Sequence, residues 1–570
     1  MKKTLLIASL AIFSCAYSEA QWTFGTYDIY PGTQPSTPRG LRGCNNLLFC
    51  NADDGVHGVE PWVSDGTPSG TKLLMDINAG PTTSLPTGFT AYKGLTYFAA
   101  SNGNDGMELW VTDGTTAGTH EFADINPGPG SSNPAYMTIW NNKLFFQASD
   151  GVTGLELWVT DGTAAGTVLV KDINTGTANS RPCKMMPLPN GLFFAADDGP
   201  DGYEPWISDG TAAGTRLIKD ICPGSPNGIG ASQPVPQTVV DGIAWYLDGP
   251  ILYNNKVYFS GNSGSGSASG ELWVSDGTSS GTHYVPASLT DAMGPREFAV
   301  YNGKLYFRAF NNNGNIFIQN YELWTTDGTA AGTQMVAEIG PGDLPGTPAG
   351  LTVCYDKLYF SANDSVHGIE LWSSDGTAAG TKLVNDWNPG TKGSSIYTII
   401  NYDGKLYYAP TDTGVINPWV LAMCDSLGNV YTVHPNGSVP SSGSLLLTEP
   451  FMVANNSLFY TPRYDTTNFE LWWITDTSVH HNPNSIKPIG TSHFMVSPNP
   501  TTGIVTVTLA SNYPNAVVTI RDITGKTLSK QNVDNNTKTV TMDIGEMPAG
   551  TYLISLQHGD MIETKKLILQ

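Results

Sequence analysis

Charged residues are scarce here: Asp, Glu, Lys and Arg make up 14% of 570 positions, against ~25% in an ordinary soluble domain. A helical bundle or coiled coil needs far more Glu, Lys and Arg, and cannot absorb 63 Gly and 38 Pro. Positive charge is scarcer than negative, with 28 Lys and Arg against 50 Asp and Glu. The net charge of −22 excludes the basic footprint that nucleic-acid binding requires. Cysteine is rare, at seven, and its spacing fits neither a CxxC nor a zinc-knuckle pattern. The six cysteines beyond residue 20 are expected to be small buried hydrophobes, with any disulfide pairing left open. No stretch beyond the N-terminus offers the ~20 continuous apolar residues of a transmembrane helix. Catalytic signatures are also missing: there is no HExxH, Walker loop or GxGxxG.

At the N-terminus, Lys2 and Lys3 precede the apolar stretch Leu5 to Phe13, and Ser18 and Ala20 place small residues just before Gln21. This is the pattern of a secretory signal peptide over residues 1–20, too short to span a bilayer. Lipoprotein processing at Cys15 is a second reading, disfavoured by the bulk of Phe13. The 14 Trp, 25 Tyr and 20 Phe favour strands and a folded chain.

A period near 48 organises the chain beyond the N-terminus. The phrase Glu108-Leu109-Trp110-Val111-Thr112-Asp113-Gly114-Thr115 returns as Glu156 to Thr163 and, altered, elsewhere. Its tryptophan falls at Trp62, Trp110, Trp158, Trp206, Trp273, Trp324, Trp372, Trp419 and Trp472, with gaps of 48, 48, 48, 67, 51, 48, 47 and 53 residues. Repeats of this length mean a solenoid, an array or a propeller. Within one unit, Ala135 to Trp140, Lys143 to Ala148, Glu156 to Thr160 and Thr167 to Ile173 read as strands. Asn141-Asn142 and Asp161-Gly162-Thr163 supply tight turns between them. Four strands joined in this way form one antiparallel blade. Gly25 to Gly32 copies the end of a unit without its first three strands, so an N-terminal strand is expected to complete the last blade. The fold class expected is all-β: a closed β-propeller of eight or nine four-stranded blades, then a small Ig-like β-sandwich.

These repeats resemble the ELWxxDGT repeat family over roughly residues 25 to 477. The resemblance implies a secreted or surface protein and brings no established chemistry with it.

The tail differs in balance. From Phe494 onward there are six residues of each charge sign and no Trp. The expected domains are therefore a propeller over 21–477, a linker over 478–493 and a β-sandwich over 494–570, with short alternating runs such as Ile504 to Leu509 and Val517 to Arg521 as its strands. Ser497-Pro498-Asn499-Pro500, Asp522 to Lys526, Met547 to Tyr552 and Lys565 to Leu569 occur in order to the chain end. This segment resembles the type A C-terminal sorting domain of the type IX secretion system. The resemblance implies the type IX machinery as a partner, export to the surface or the medium, and no catalysis by the tail.

In a four-stranded blade, the first-to-second and third-to-fourth connections share one face of the ring, and the other two connections share the opposite face. The Asp-Gly-Thr turns at 65, 113, 161, 209, 276, 327 and 375 belong to the first face and read as structural. The opposite face collects Asp54, Asp105, Asp150, Asp198 and Asp364, together with the strand-four ends Asp76, Asp124, Asp172, Asp220 and Asp386. Oxygen-rich loops suit Ca²⁺, so the first five are the cation candidates, weighed against turn chemistry on an acidic surface. His57 and His367 occupy equivalent loops and read as surface residues. Insertions at Pro223 to Asp248, Gly261 to Gly270 and Asn311 to Tyr321 break the symmetry on that same face. Trp245 and Tyr246, in the longest insertion, are the ligand-rim candidates. The expectation is a secreted or surface binding or adhesion module taking glycan or protein. The alternative is a polysaccharide-degrading enzyme with its site on that rim, for which no carboxylate pair stands out. A purely structural envelope component is the third reading.

Overall fold

The structure is a computed structural model, and it describes residues 22–32, 34–224, 227–229, 249–264, 270–287, 292–311, 320–394, 396, 398–410, 421–433, 451–461, 470–476 and, in the tail, most of 494–569. The chain forms two compact units, Met1–Ser478 and Val479–Gln570. No helix occurs among the described residues.

The first unit is a set of nine four-stranded antiparallel blades. Blade 3 shows how the sequence builds one. Its strands are Ala135–Trp140, Lys143–Ser149, Leu155–Thr160 and Val168–Lys171, paired in that order. The first hairpin turns at Asn141 and Asn142, whose φ values of 48° and 56° are those of a type I′ turn. Side chains alternate across the sheet. Leu144, Phe146 and Trp158 enter a core shared with blade 2, while Phe145, Leu157 and Val159 enter the core shared with blade 4. The other blades repeat the plan, with first strands at Arg39–Cys44, Thr87–Tyr92, Cys183–Leu188, Ile251–Tyr253, Ala292–Tyr301, Ala349–Cys354, Ile399–Tyr402 and Met452–Ala454. Blades 5 and 6 are further joined by the pair Glu271–Met293.

Because each blade shares a core with both neighbours, the ring is held by the slots between blades and not by any one centre. Each large apolar side chain fully buried there contributes roughly 1.5–3 kcal/mol. The last slot closes the circle. Trp22–Tyr27 pairs antiparallel with Leu471–Asp476, from Trp22↔Asp476 to Tyr27↔Leu471, and so becomes the fourth strand of blade 9. Leu41, Leu48 and Trp62 of blade 1 then share a core with Leu471 and Trp473 of blade 9. The expected ring and its N-terminal closing strand are both present, with nine blades.

The second unit is a two-sheet sandwich. Phe494–Ser497, Ile504–Leu509 and Thr539–Asp543 form one sheet; Thr527–Asn532, Val517–Arg521, Gly550–His558 and Met561–Leu569 form the other. Val505, Val507 and Met542 of the first sheet pack on Ile520, Ile554 and Leu567 of the second. The strand Thr527–Asn532 escapes a reading of the sequence because it is mostly polar and most of its residues are exposed.

Candidate functional site

On the turn face, one hydrogen-bond pattern is repeated. In blade 2, Asp113 Oδ1 accepts from the Thr115 amide at 2.8 Å and from Thr115 Oγ1 at 2.6 Å. Thr115 Oγ1 in turn accepts from the Gly118 amide at 3.0 Å, and Thr119 Oγ1 donates to the Thr115 carbonyl at 2.7 Å. Gly114 takes φ +91°, which favours glycine. Gly118 is needed for a different reason: a Cβ there would lie 2.2 Å from Asp113 Oδ1. The same Asp–Thr bond recurs at Asp65, Asp161, Asp209, Asp276, Asp327 and Asp375. Thr115 holds the Asp113 carboxyl below its ordinary value. These aspartates are committed to folding their own turns.

The opposite, loop face carries the acidic residues singled out from the sequence. Asp54 Oδ1 accepts from the Val56 and His57 amides, each at 2.9 Å, and Asp54 Oδ2 meets His57 Nδ1 at 2.7 Å. Asp364 repeats this with Val366 and His367, the ring contact being 2.6 Å. Asp150 accepts from the Val152 and Thr153 amides at 2.8 and 2.7 Å, and Asp198 from the Asp201 amide at 2.9 Å. Burial pushes the Asp54 carboxyl up, but the His57 side chain and the His57 and Val56 amides outweigh it and hold the group below its usual range. The same balance lowers Asp150 and Asp364. Asp54 in turn raises His57, and Asp364 raises His367. Blade 2 departs from the series: Asn102 takes the position of Asp54, capping the Asn104 and Asp105 amides with its Oδ1. Asp105 there accepts from Asn102 Nδ2 at 2.7 Å. Each aspartate thus serves its own loop, and among the described residues no group of three or more His, Cys, Asp or Glu could hold a metal ion.

Behind both faces lies a set of residues that sequence reasoning passed over. The glutamate of the Glu-Leu-Trp phrase is buried in every blade that has it, with Glu60, Glu108, Glu156, Glu204 and Glu370 at 0% exposure. Glu108 Oε2 accepts from the Ile125 amide at 2.8 Å and from Ser132 Oγ at 2.5 Å; Oε1 accepts from the Ser132 amide at 2.8 Å. Ile125 lies just past the end of blade 2, and Ser132 leads into blade 3. The carboxylate therefore fastens the connection between blades. Glu60 does the same with Ile77 and Ser84, and Glu156 with Ile173 and Ser180. A serine 24 residues after Glu60, Glu108, Glu156 and Glu370 was the available signal. In blade 9 the partners come from the other end of the chain: Glu470 binds the Ile29 amide at 2.8 Å, the Ser36 amide at 3.1 Å and Ser36 Oγ at 2.6 Å. Burial raises all these carboxyls, Glu156 to about 7 and Glu204 to about 8. Gly228 stands where a serine would serve Glu204, so that carboxyl lacks this hydroxyl donor.

Cys44, Cys50, Cys183, Cys222, Cys354 and Cys424 are buried and form no disulfide among the described residues. Trp245 and Tyr246 lie outside the described residues, as do 225–226, 230–248, 265–269 and 312–319 of the three insertions. Their flanks rest on the loop face: Ile229 donates to the Tyr203 carbonyl at 3.0 Å, and Asn320 Nδ2 to the Gly342 carbonyl at 2.6 Å.

No curated protein matches this chain. Among solved structures, a puromycin hydrolase aligns at 11% identity over 68% of this chain and 60% of its own length, with a TM-score of 0.33. Prolyl endopeptidases align at 12% identity over 68% of this chain and 57% of theirs, with a TM-score of 0.34. A Mycobacterium tuberculosis puromycin-hydrolyzing peptidase aligns at 10% identity over 78% and 61%, also with a TM-score of 0.34. The chain thus spans about 60% of the length of these structures. Residues 495–570 match the family model described as a secretion system C-terminal sorting domain, so the tail is the sorting signal of a type IX secretion substrate and directs this protein to the cell surface or the extracellular space.

Proposed function

We propose that residues 21–477 form an ELWxxDGT-repeat propeller that acts outside the cell as a non-enzymatic binding or adhesion module for a glycan or a surface protein. Residues 1–20 are its signal peptide, 478–493 a linker and 494–570 the domain that engages the type IX machinery. One observation carries the binding reading. The carboxyls raised furthest, Glu156, Glu204 and Glu322, are sealed between blades, with Glu156 and Glu204 at 0% exposure and Glu322 at 1%. On the loop face Asp54, Asp150 and Asp364 are held low by their own loops, and the exceptions, Asp201 and Glu121, are raised by burial and by neighbouring carboxylates. A general acid needs a raised carboxyl within reach of substrate. That division supports recognition by the loop face and its insertions, for which Trp245 and Tyr246 are the aromatic candidates in the sequence. Asp54, Asp105, Asp150, Asp198 and Asp364 stay single cation candidates, each already bonded within its own loop, and calorimetry with Ca²⁺ tests whether any of them takes an ion.

The second reading, a polysaccharide-degrading enzyme, rests on the three insertions sharing one sector of the same acidic face. A glycan array followed by hydrolysis assays on the hits separates the two. Retention without released oligosaccharide supports binding, and oligosaccharide release removes that reading in favour of the enzyme.

A further inference from the structure

The first strands of adjacent blades lie side by side around the ring, so they converge on its axis. In eight of the nine blades the next-to-last residue of that strand is apolar, Asn401 being the exception. Five are large and exposed: Ile139 at 42%, Leu252 at 41%, Val300 at 42%, Val353 and Val453 at 38%. Two neighbouring pairs in this series touch. Asn401 Nδ2 donates to the Val353 carbonyl at 3.0 Å, and a Cβ on Gly43 would lie 2.6 Å from the Val453 carbonyl oxygen. Scattered exposed hydrophobics are ordinary, but five large ones at equivalent positions around the axis, in a collar interrupted at Asn401, mark an interaction surface.

The charges around the collar say what covers it. Lysine opens the second strand in blades 3, 6, 7 and 8, and in blade 5 as well, just outside the collar, at Lys143, Lys304, Lys357, Lys405 and Lys256. The turn aspartates alternate with these lysines: Lys256 acts on Asp276, Lys304 on Asp327 and Lys357 on Asp375. Both signs are interspersed, so this face does not repel a copy of itself. The loop face, rich in aspartate, does. Two-fold pairing is the commonest way for a surface to be self-complementary.

We infer that two copies of this chain associate face to face through the turn face, with their apolar collars apposed. This proposal concerns the face opposite the one assigned to ligand and does not depend on that assignment. The full chain sediments as a dimer at high concentration and dissociates on dilution. Val300→Asp with Val353→Asp, both at exposed positions, makes it monomeric with an unchanged melting temperature. Lys304→Glu with Lys357→Glu weakens association by about tenfold or more, the equivalent of ~1.4 kcal/mol. Val56→Asp with Val152→Asp, on the loop face, leaves the dimer intact. Lysine cross-links between isotopically distinct copies join Lys256 and Lys304, not Lys392 in the loop after blade 7. A chain that is monomeric at its highest soluble concentration overturns the proposal. So does a dimer that survives the collar substitutions, or cross-links confined to Lys392 on the loop face.

Discussion

Glu470→Ala should unlatch the ring at one seam. The carboxylate takes three hydrogen bonds from residues 29 and 36, at 2.6 to 3.1 Å, and is 5% exposed. Hydrogen bonds to a charged group contribute ~1.5–3 kcal/mol each, and stranding buried donors adds to the loss. Allowing for non-additivity, the substitution costs about 3–5 kcal/mol. Its location decides where this appears. In other blades the same carboxylate fastens two pieces of continuous chain, but here it fastens the end of the strand Trp22–Tyr27, which has no covalent link to Leu471–Asp476. Local detachment is then the cheapest opening. Amide exchange at residues 23–27 should quicken by about 100- to 4,000-fold, taking tenfold per 1.4 kcal/mol. Glu108→Ala removes an equivalent set of bonds and should lower the melting temperature while leaving exchange at 23–27 unchanged. Glu470→Gln keeps an acceptor and should fall between wild type and alanine. If Glu470→Ala leaves exchange at 23–27 at the wild-type rate, the latch reasoning is wrong.

Stability should fall as pH rises from about 5 to 8. The folded chain keeps protons on Glu156 to about 7 and on Glu204 to about 8, while the unfolded chain releases them near 4.5. Their contribution is therefore fully present below 4.5 and lost as pH passes 7 to 8, a change of a few kcal/mol at most. Glu204→Gln should flatten that slope in thermal melts, and a melting temperature rising over this range would refute the assignment. Gly118→Ala drives a methyl group into the Asp113 carboxylate and should cost about 1–3 kcal/mol by denaturant titration; an unaffected midpoint would show that the turn relaxes freely. The six buried thiols, with burial raising Cys44, Cys183 and Cys354 to about 11 and Cys424 to about 12, should resist iodoacetamide in the native protein and react fully in denaturant, as intact mass would record.

How legible each part of the fold is in the sequence depends on the physics of its signal. Blades announce themselves because tight turns restrict residue choice: Asn141-Asn142 and Asp161-Gly162-Thr163 can do little else, and alternation between them fixes which side chains enter which slot. The closing strand is visible because Gly25 to Gly32 imitates a unit's end. The buried glutamates are not, since an acidic residue in an acidic protein carries no local mark of burial. Glu108 looks no different from Asp105 until Ile125 and Ser132 are brought to it from 17 and 24 residues away. The exposed aspartates attract a functional reading for the mirror-image reason, being numerous and periodic, yet Asp54 and Asp364 spend their oxygens on amides two and three residues on. A repeat protein states its scaffold many times over, so whatever recurs in every blade is first of all a candidate for holding blades together. Function is better sought where the repetition stops. On this chain that means the three insertions on the loop face and, on the turn face, a collar whose members vary in identity while staying apolar in every blade but the eighth, where Asn401 stands.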